Sequence, residues 1–169
     1  MLAICAGGAG IMPNLKSMLE YEEGRRYKPY KCSEGFWTYG IGHKMTSDEL
    51  KTCATRTEVS DSAIDRMFES DKQKAINAAS KYGWFKNLNE PRQAVVISMI
   101  FQMGEAGFSK FQMVREYLLR GEYIEAASEM LDSRWAKQTP NRAKRHARQM
   151  RTGEWCKEYA ANVTKNVTT

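Results

Sequence analysis

Two glutamates, Glu22 and Glu23, close a stretch with helical spacing and are followed at once by Gly24. Downstream lies a glycine-rich run, Trp37-Thr38-Tyr39-Gly40-Ile41-Gly42-His43, able to fold back across that helix end as a hairpin. A carboxylic acid held at such a junction can give a proton to a leaving oxygen. Glycosidic cleavage requires that, together with a second group to manage the incoming water. Glu23 is placed to be the acid. Taken alone, a glutamate at a helix end is usually a solvated surface residue, so the surrounding pattern decides.

The elements that must hold Glu23 can be read from spacing. Pro13 and Asn14 mark a helix start, with Leu15, Met18, Leu19 and Glu22 on one helical spacing and Gly24 as the stop. From Tyr27 to His43 aromatic and β-branched residues punctuated by glycine predict a sheet of two or three strands. Ser60 opens a long amphipathic helix carrying Ile64, Met67, Phe68, Ile76 and Ala79 and closing near Gly83. Ala94 to Met103 is apolar on nearly every side, which predicts a buried central helix. Shorter helices are predicted at about 113–120, 123–131, 140–151 and 154–163, with Thr139 as a side-chain cap and Pro140 in the first turn. The fold class expected is α+β, predominantly helical: a small N-terminal lobe (about 13–60) with a short antiparallel sheet, a connecting helix (about 60–80), and a larger helical lobe (about 80–164). Residues 1–12 read as a flexible extension and 165–169 as a tail.

Composition narrows the classes. The chain has 169 residues, 42% hydrophobic and 27% charged, which excludes wholesale disorder. Its formal net charge of +6 points to anionic partners. No apolar run approaches the roughly 20 residues that span a bilayer, so no stable membrane span is expected. Cys5, Cys32, Cys53 and Cys156 form no CxxC pair and there are two histidines, so neither a metal site nor a cofactor is expected. Arg134 to Arg151 holds seven Lys or Arg residues and no acid. Such a run is solvated helix surface by default; attraction to an anionic cell wall is the sharper reading. A helix-turn-helix DNA binder would place its recognition helix here, but leaves the Glu23–His43 run unexplained, so no nucleic-acid partner is expected.

Three separated motifs, in order, resemble the phage-type lysozymes of glycoside hydrolase family 24. The first is Glu23, eight residues, Cys32, five residues, Thr38, then Gly40-Ile41-Gly42-His43. The second is Phe101-Gln102-Met103-Gly104-Glu105. The third is Ser133-Arg134-Trp135 with Gln138-Thr139-Pro140-Asn141-Arg142-Ala143-Lys144-Arg145, continuing to Arg151-Thr152-Gly153-Glu154-Trp155. The likeness runs from about Met12 to Tyr159.

The resemblance implies an endolysin that hydrolyses the β-1,4 bond between N-acetylmuramic acid and N-acetylglucosamine. Its partner would be bacterial peptidoglycan, and the protein would act as a monomer. It would be made in the host bacterial cytoplasm and act on the periplasmic wall. Glu23 would be the general acid and Thr38 would help place the attacking water. Cys32 falls where the family usually has an aspartate, and its role as nucleophile, base or electrostatic partner stays open. A thiol with a pKa of about 8.5 is a weaker source of charge than a carboxylate, yet its thiolate is a strong nucleophile. Lys44, Phe101, Gln102 and Trp135 would contact substrate, although Phe101 and Trp135 fit a core position as well. Two further cleft positions fall on Val114 and Glu129. Supporting residues would be Gly42, with ion pairs of Arg142 to Glu23, Arg145 to Glu22 and His43 to Asp71. By analogy with lysins silenced by a disulfide, Cys5 or Cys53 could block Cys32. A catalytically inactive wall-binding relative is the alternative that Cys32 leaves open. The sequons Asn162-Val163-Thr164 and Asn166-Val167-Thr168 carry no assigned function.

Overall fold

A computed structural model of the chain describes residues 12–32, 34–52 and 58–162. The extension up to residue 11, the tail, Cys5, Cys53 and the glycosylation sequons beyond Asn162 lie outside the described residues. Helix α1 (Leu15–Glu23) opens on a reciprocal cap: Asn14 accepts from the Ser17 N–H and Ser17 Oγ accepts from the Asn14 N–H, both at 3.0 Å. An antiparallel sheet follows in the order β1 (Arg26–Lys31), β2 (Trp37–Gly40), β3 (His43–Lys44). Tyr30 pairs with Thr38, Lys31 with Trp37, and Thr38 with Lys44. The β1–β2 pairing is irregular between Arg26 and Tyr30, where Pro29 has no N–H to give to a ladder.

Helix α3 (Asp61–Ser80) is capped by Ser60 Oγ at 3.2 Å from the Ala63 N–H. Its two halves face different clusters. Ile64 and Phe68 join Leu19 and Ile41 under the sheet, whereas Ala75, Ala78 and Ala79 belong to the larger helical core. Helix α1 divides likewise, sending Leu19 to the small cluster and Met18 to the large one. Helix α4 (Glu90–Ser109) runs through the large core, burying every residue from Ala94 to Ile100. It bends at Gly104, whose φ of +76° breaks the helical path. Around it pack α5 (Gln112–Arg120), α6 (Tyr123–Leu131), α7 (Arg134–Gln138) and α8 (Pro140–Thr152), with α6 lying along α8.

Four local expectations change. Helices α2 (Ser47–Thr52) and α7 are too short to show a period in sequence. The C-terminal segment forms a 3₁₀ turn over Lys157–Asn162 instead of an α-helix from 154, because Gly153 in the left-handed region ends α8. Thr139 does not cap α8 with its side chain; its hydroxyl donates to the Trp135 carbonyl at 3.1 Å, satisfying the last turn of α7. Among the described residues no helix is long and apolar enough to cross a membrane.

The sheet is tied to α3 by a charged clamp. His43, 5% exposed, places Nδ1 2.5 Å from Asp71 Oδ2 and Nε2 3.1 Å from both Glu49 oxygens. The Tyr39 hydroxyl donates to Glu49 as well. Burial alone would lower the pKa of His43, but bonds to Asp71 and Glu49 raise it; Glu49 is held down to about 2 despite its own partial burial. The raised imidazole stabilises the fold below pH about 6.5, its unfolded value, and that contribution is lost as pH rises through the folded value. The lowered Glu49 contributes above its unfolded pKa of about 4.5 and is lost only as pH falls toward 2. Thermal melts of parent and His43→Gln should therefore differ most between pH about 4.5 and 6.5, and converge at alkaline pH. A Tm difference independent of pH would contradict a charged clamp.

Candidate active site

The C-terminal end of α1 carries two carboxylates where the helix dipole is negative, so it needs cations beside it. Helix α8 supplies them. Arg145 makes a two-pronged bond to Glu22, Nε to Oε1 and Nη2 to Oε2, both at 2.8 Å. The Tyr159 hydroxyl donates to the same Oε1 at 2.7 Å. Arg142 spans both glutamates: Nη1 donates to Glu23 Oε1 at 2.8 Å, Nη2 donates to the Glu22 carbonyl, and Nε lies 3.3 Å from Glu22 Oε2. Glu22 is the more buried, its side chain 2% exposed against 14% for Glu23. Burial pushes the Glu22 carboxyl up, but the bonds from Arg145 and Tyr159 and the nearby Arg142 charge outweigh it and hold Glu22 below the ordinary carboxylate range.

The hairpin folds back over this end, and Gly42 is the point of closest approach. A Cβ at Gly42 would stand 2.8 Å from Glu23 Oε2, and its φ of +69° is one that side-chain-bearing residues rarely adopt. Glu23, Cys32, Thr38, Gly42, Lys44, Gln102 and Arg142 line one cavity of 210 Å³, together with Tyr30, Glu34, Glu22 and Thr139. Cys32 sits at the β1–β2 turn, its N–H donating to the Phe36 carbonyl at 2.9 Å. Partial burial raises its thiol, but the backbone N–H groups of Glu34 and Phe36, the Thr38 hydroxyl and the Lys44 charge lower it further, so the net shift is downward. Lys44 is held by Glu34 at 2.8 Å at the mouth of this cavity.

Gly42, Lys44 and Gln102 also line an adjoining groove of 440 Å³ between the sheet side and α4, with His43, Asp71 and Phe101. Phe101 is half-buried and packs edge-on against Phe68 at 6.0 Å, bridging the two clusters. Trp135 does not line the Glu23 cavity. It is 6% exposed and its Nε1 donates to Gln102 Oε1 at 2.8 Å, orienting a side chain that does line it. Trp135 instead borders a third hollow, between α5 and α7, along with Val114 and Glu129. Among the described residues, Cys32 and Cys156 form no disulfide. Among the described residues no cluster of metal-ligating side chains occurs. Sequence reading missed Glu34, Tyr30 and Glu49 around the site, and His146 behind it. Glu34 and Glu49 stand in the loop and first helical turn beside already chosen residues, where a carboxylate near Lys44 or His43 was the available signal.

Gly42→Ala should displace the Glu23 carboxylate. The expected result is about a hundredfold loss of hydrolytic rate, as for a misplacement of about 1 Å, while the left-handed φ costs about 1–2 kcal/mol of stability. Rate and thermal denaturation measured on the same sample would separate the two effects. Parent-like activity would mean that Glu23 is not pressed against this turn.

The sequence has counterparts among known proteins. The Phage lysozyme family matches residues 20–154. "Probable T4-type lysozyme 2" of Dictyostelium discoideum is 33% identical, covering 88% of this chain and 99% of the relative. "Probable T4-type lysozyme 1" of the same organism is 30% identical, covering 85% and 96%. The "Pre-baseplate central spike protein Gp5" of Enterobacteria phage T4 is 32% identical, with 79% of this chain matching only 27% of that protein. A family match across the α1 end, the hairpin and α8, joined to near full-length likeness to T4-type lysozymes, shows that the chain belongs to the phage lysozyme family of glycoside hydrolases.

Proposed function

We propose that this protein hydrolyses the β-1,4 bond between N-acetylmuramic acid and N-acetylglucosamine in bacterial peptidoglycan, and serves in host cell lysis. The observation that carries this reading is the Glu23 carboxylate, fixed by Arg142 under the Gly42 turn in a cavity it shares with Cys32 and Thr38. The protein is made in the bacterial cytoplasm and works as a monomer on the periplasmic wall.

Glu23 gives its proton to the leaving glycosidic oxygen as the bond to the sugar's anomeric carbon breaks. Water adds to that carbon, oriented by the Thr38 hydroxyl. The proton the water sheds replaces the one Glu23 gave, so the site ends as it began. Cys32 supplies the second group, its thiolate favoured by the Glu34 and Phe36 N–H groups and by Lys44. It sets negative charge beside the cation-like sugar of the transition state. Arg142 already reaches Glu22 through Nε at 3.3 Å. Substrate that moves it fully onto Glu22 leaves Glu23 Oε1 free for the proton.

Loss of turbidity by permeabilised Gram-negative cells tests the reading. Glu23→Gln should lower clearing about a thousandfold. Cys32→Ser should slow it and Cys32→Asp should restore it. Iodoacetamide should inactivate the parent faster as pH rises toward the thiol's pKa, and should spare Cys32→Asp. A folded parent that binds walls but clears none would instead be a wall-binding module.

A further inference from the structure

His146 takes no part in the reaction as described, yet it lies behind the groups that hold the acid. Its ring is 0% exposed, on the face of α8 that also buries Ala143, Ala147 and Met150. Nε2 is 2.8 Å from the Oγ of Ser98, a fully buried residue of α4. Nδ1 makes no hydrogen bond and faces Glu22 Oε1 at 3.9 Å. The ring stands edge-on to Trp135 at 5.7 Å. Burial drives its pKa down to about 3, with the push of the Arg142 and Arg145 charges and against the pull of Glu22 and of the Arg142 backbone, so the ring is neutral at working pH.

A neutral imidazole has one N–H and one lone pair. If Nε2 carried the proton, Nδ1 would turn its lone pair toward the Glu22 carboxylate, and the buried Ser98 hydroxyl would have no acceptor for its own proton among the described residues. If the Ser98 hydroxyl donates to Nε2, the ring proton sits on Nδ1 and its N–H dipole points at the carboxylate. Only the second arrangement gives the Ser98 proton an acceptor and turns an N–H dipole, in place of a lone pair, toward Glu22 Oε1 at 3.9 Å. Glu22 in turn fixes Arg142, and Arg142 fixes Glu23.

We propose that His146, held by Ser98 as its Nδ1–H tautomer, is a positioning residue that keeps Glu22 and Arg142 in the register Glu23 requires. It connects the central helix to the reacting carboxyl through a row of side chains: Ser98, His146, Glu22, Arg142, Glu23. The proposal rests on the reading of Glu23 as the acid.

Nitrogen-15 NMR of the intact protein reads the tautomer directly, because the chain has two histidines. His43, whose pKa its two carboxylates raise, should titrate above an ordinary imidazole, whereas His146 should show a protonated Nδ1 and a bare Nε2, unchanged from pH 5 to 8. A protonated Nε2, or an imidazolium at neutral pH, would overturn the proposal. Ser98→Ala should allow both tautomers and lower kcat about threefold to tenfold, the effect of one hydrogen bond, with KM unchanged and the acid limb of the pH profile displaced. His146→Leu should do the same, and His146→Gln, which keeps a donor toward Glu22, should recover most of the rate. A folded His146→Leu with the parent's kcat and pH profile would overturn the positioning role. Full clearing by Glu23→Gln, with the Nδ1–H tautomer intact, would instead overturn the reading of Glu23 as the acid.

Discussion

The structure depends on a carboxylate kept ionised in a place hostile to it. Glu22 is almost wholly buried and sits at the negative end of α1, two circumstances that each favour its neutral form. Arg145 and Tyr159 reverse that balance with three hydrogen bonds. The partners come from α8 and from the turn after it, so the same bonds that solvate Glu22 dock the start of the chain on its C-terminal part. Arg142, one helical turn before His146 on α8, is drawn into this network and is thereby aimed at Glu23.

The second half of the site is positioned by packing. The sheet has a small apolar underside, Ile41 against Ile64, Phe68 and Leu19, too small to fix a hairpin tightly. The His43 clamp supplies the missing rigidity by joining β3 to α2 and α3. With the hairpin so held, the absence of a side chain at Gly42 lets backbone reach the Glu23 carboxylate, and Cys32 and Thr38 are carried to the facing wall of the same cavity.

Much of this was legible in the residue order, and what was not has identifiable causes. Asn14 and Ser60 announce helix starts because a capping side chain is a local device, and both cap as local rules predict. The pairings of Arg142 with Glu23, Arg145 with Glu22 and His43 with Asp71 come through family likeness, since no local rule joins residues 28 to 123 positions apart. Trp135 reads from sequence as either a substrate contact or a core residue, and its indole is buried with its N–H on Gln102. An aromatic on an amphipathic turn reads alike in either case. His146 escaped notice inside a basic run, although it stands three and four residues from Ala143 and Met150 on the helix stripe that is buried. The charges around it hid a periodicity that was present.

Helix α3 serves two cores of unequal size, four buried residues under the sheet and a far larger set on the other side. The thinner one bears Cys32, Thr38 and the Gly42 turn, while Arg142 stands on the thicker. Free energy of local opening follows the apolar contacts a segment makes, so the sheet can detach from α3 while α4 and its surrounding helices stay closed. On warming, the cavity beside Glu23 should therefore open before the helical core melts, so that hydrolysis is lost at a lower temperature than helical content.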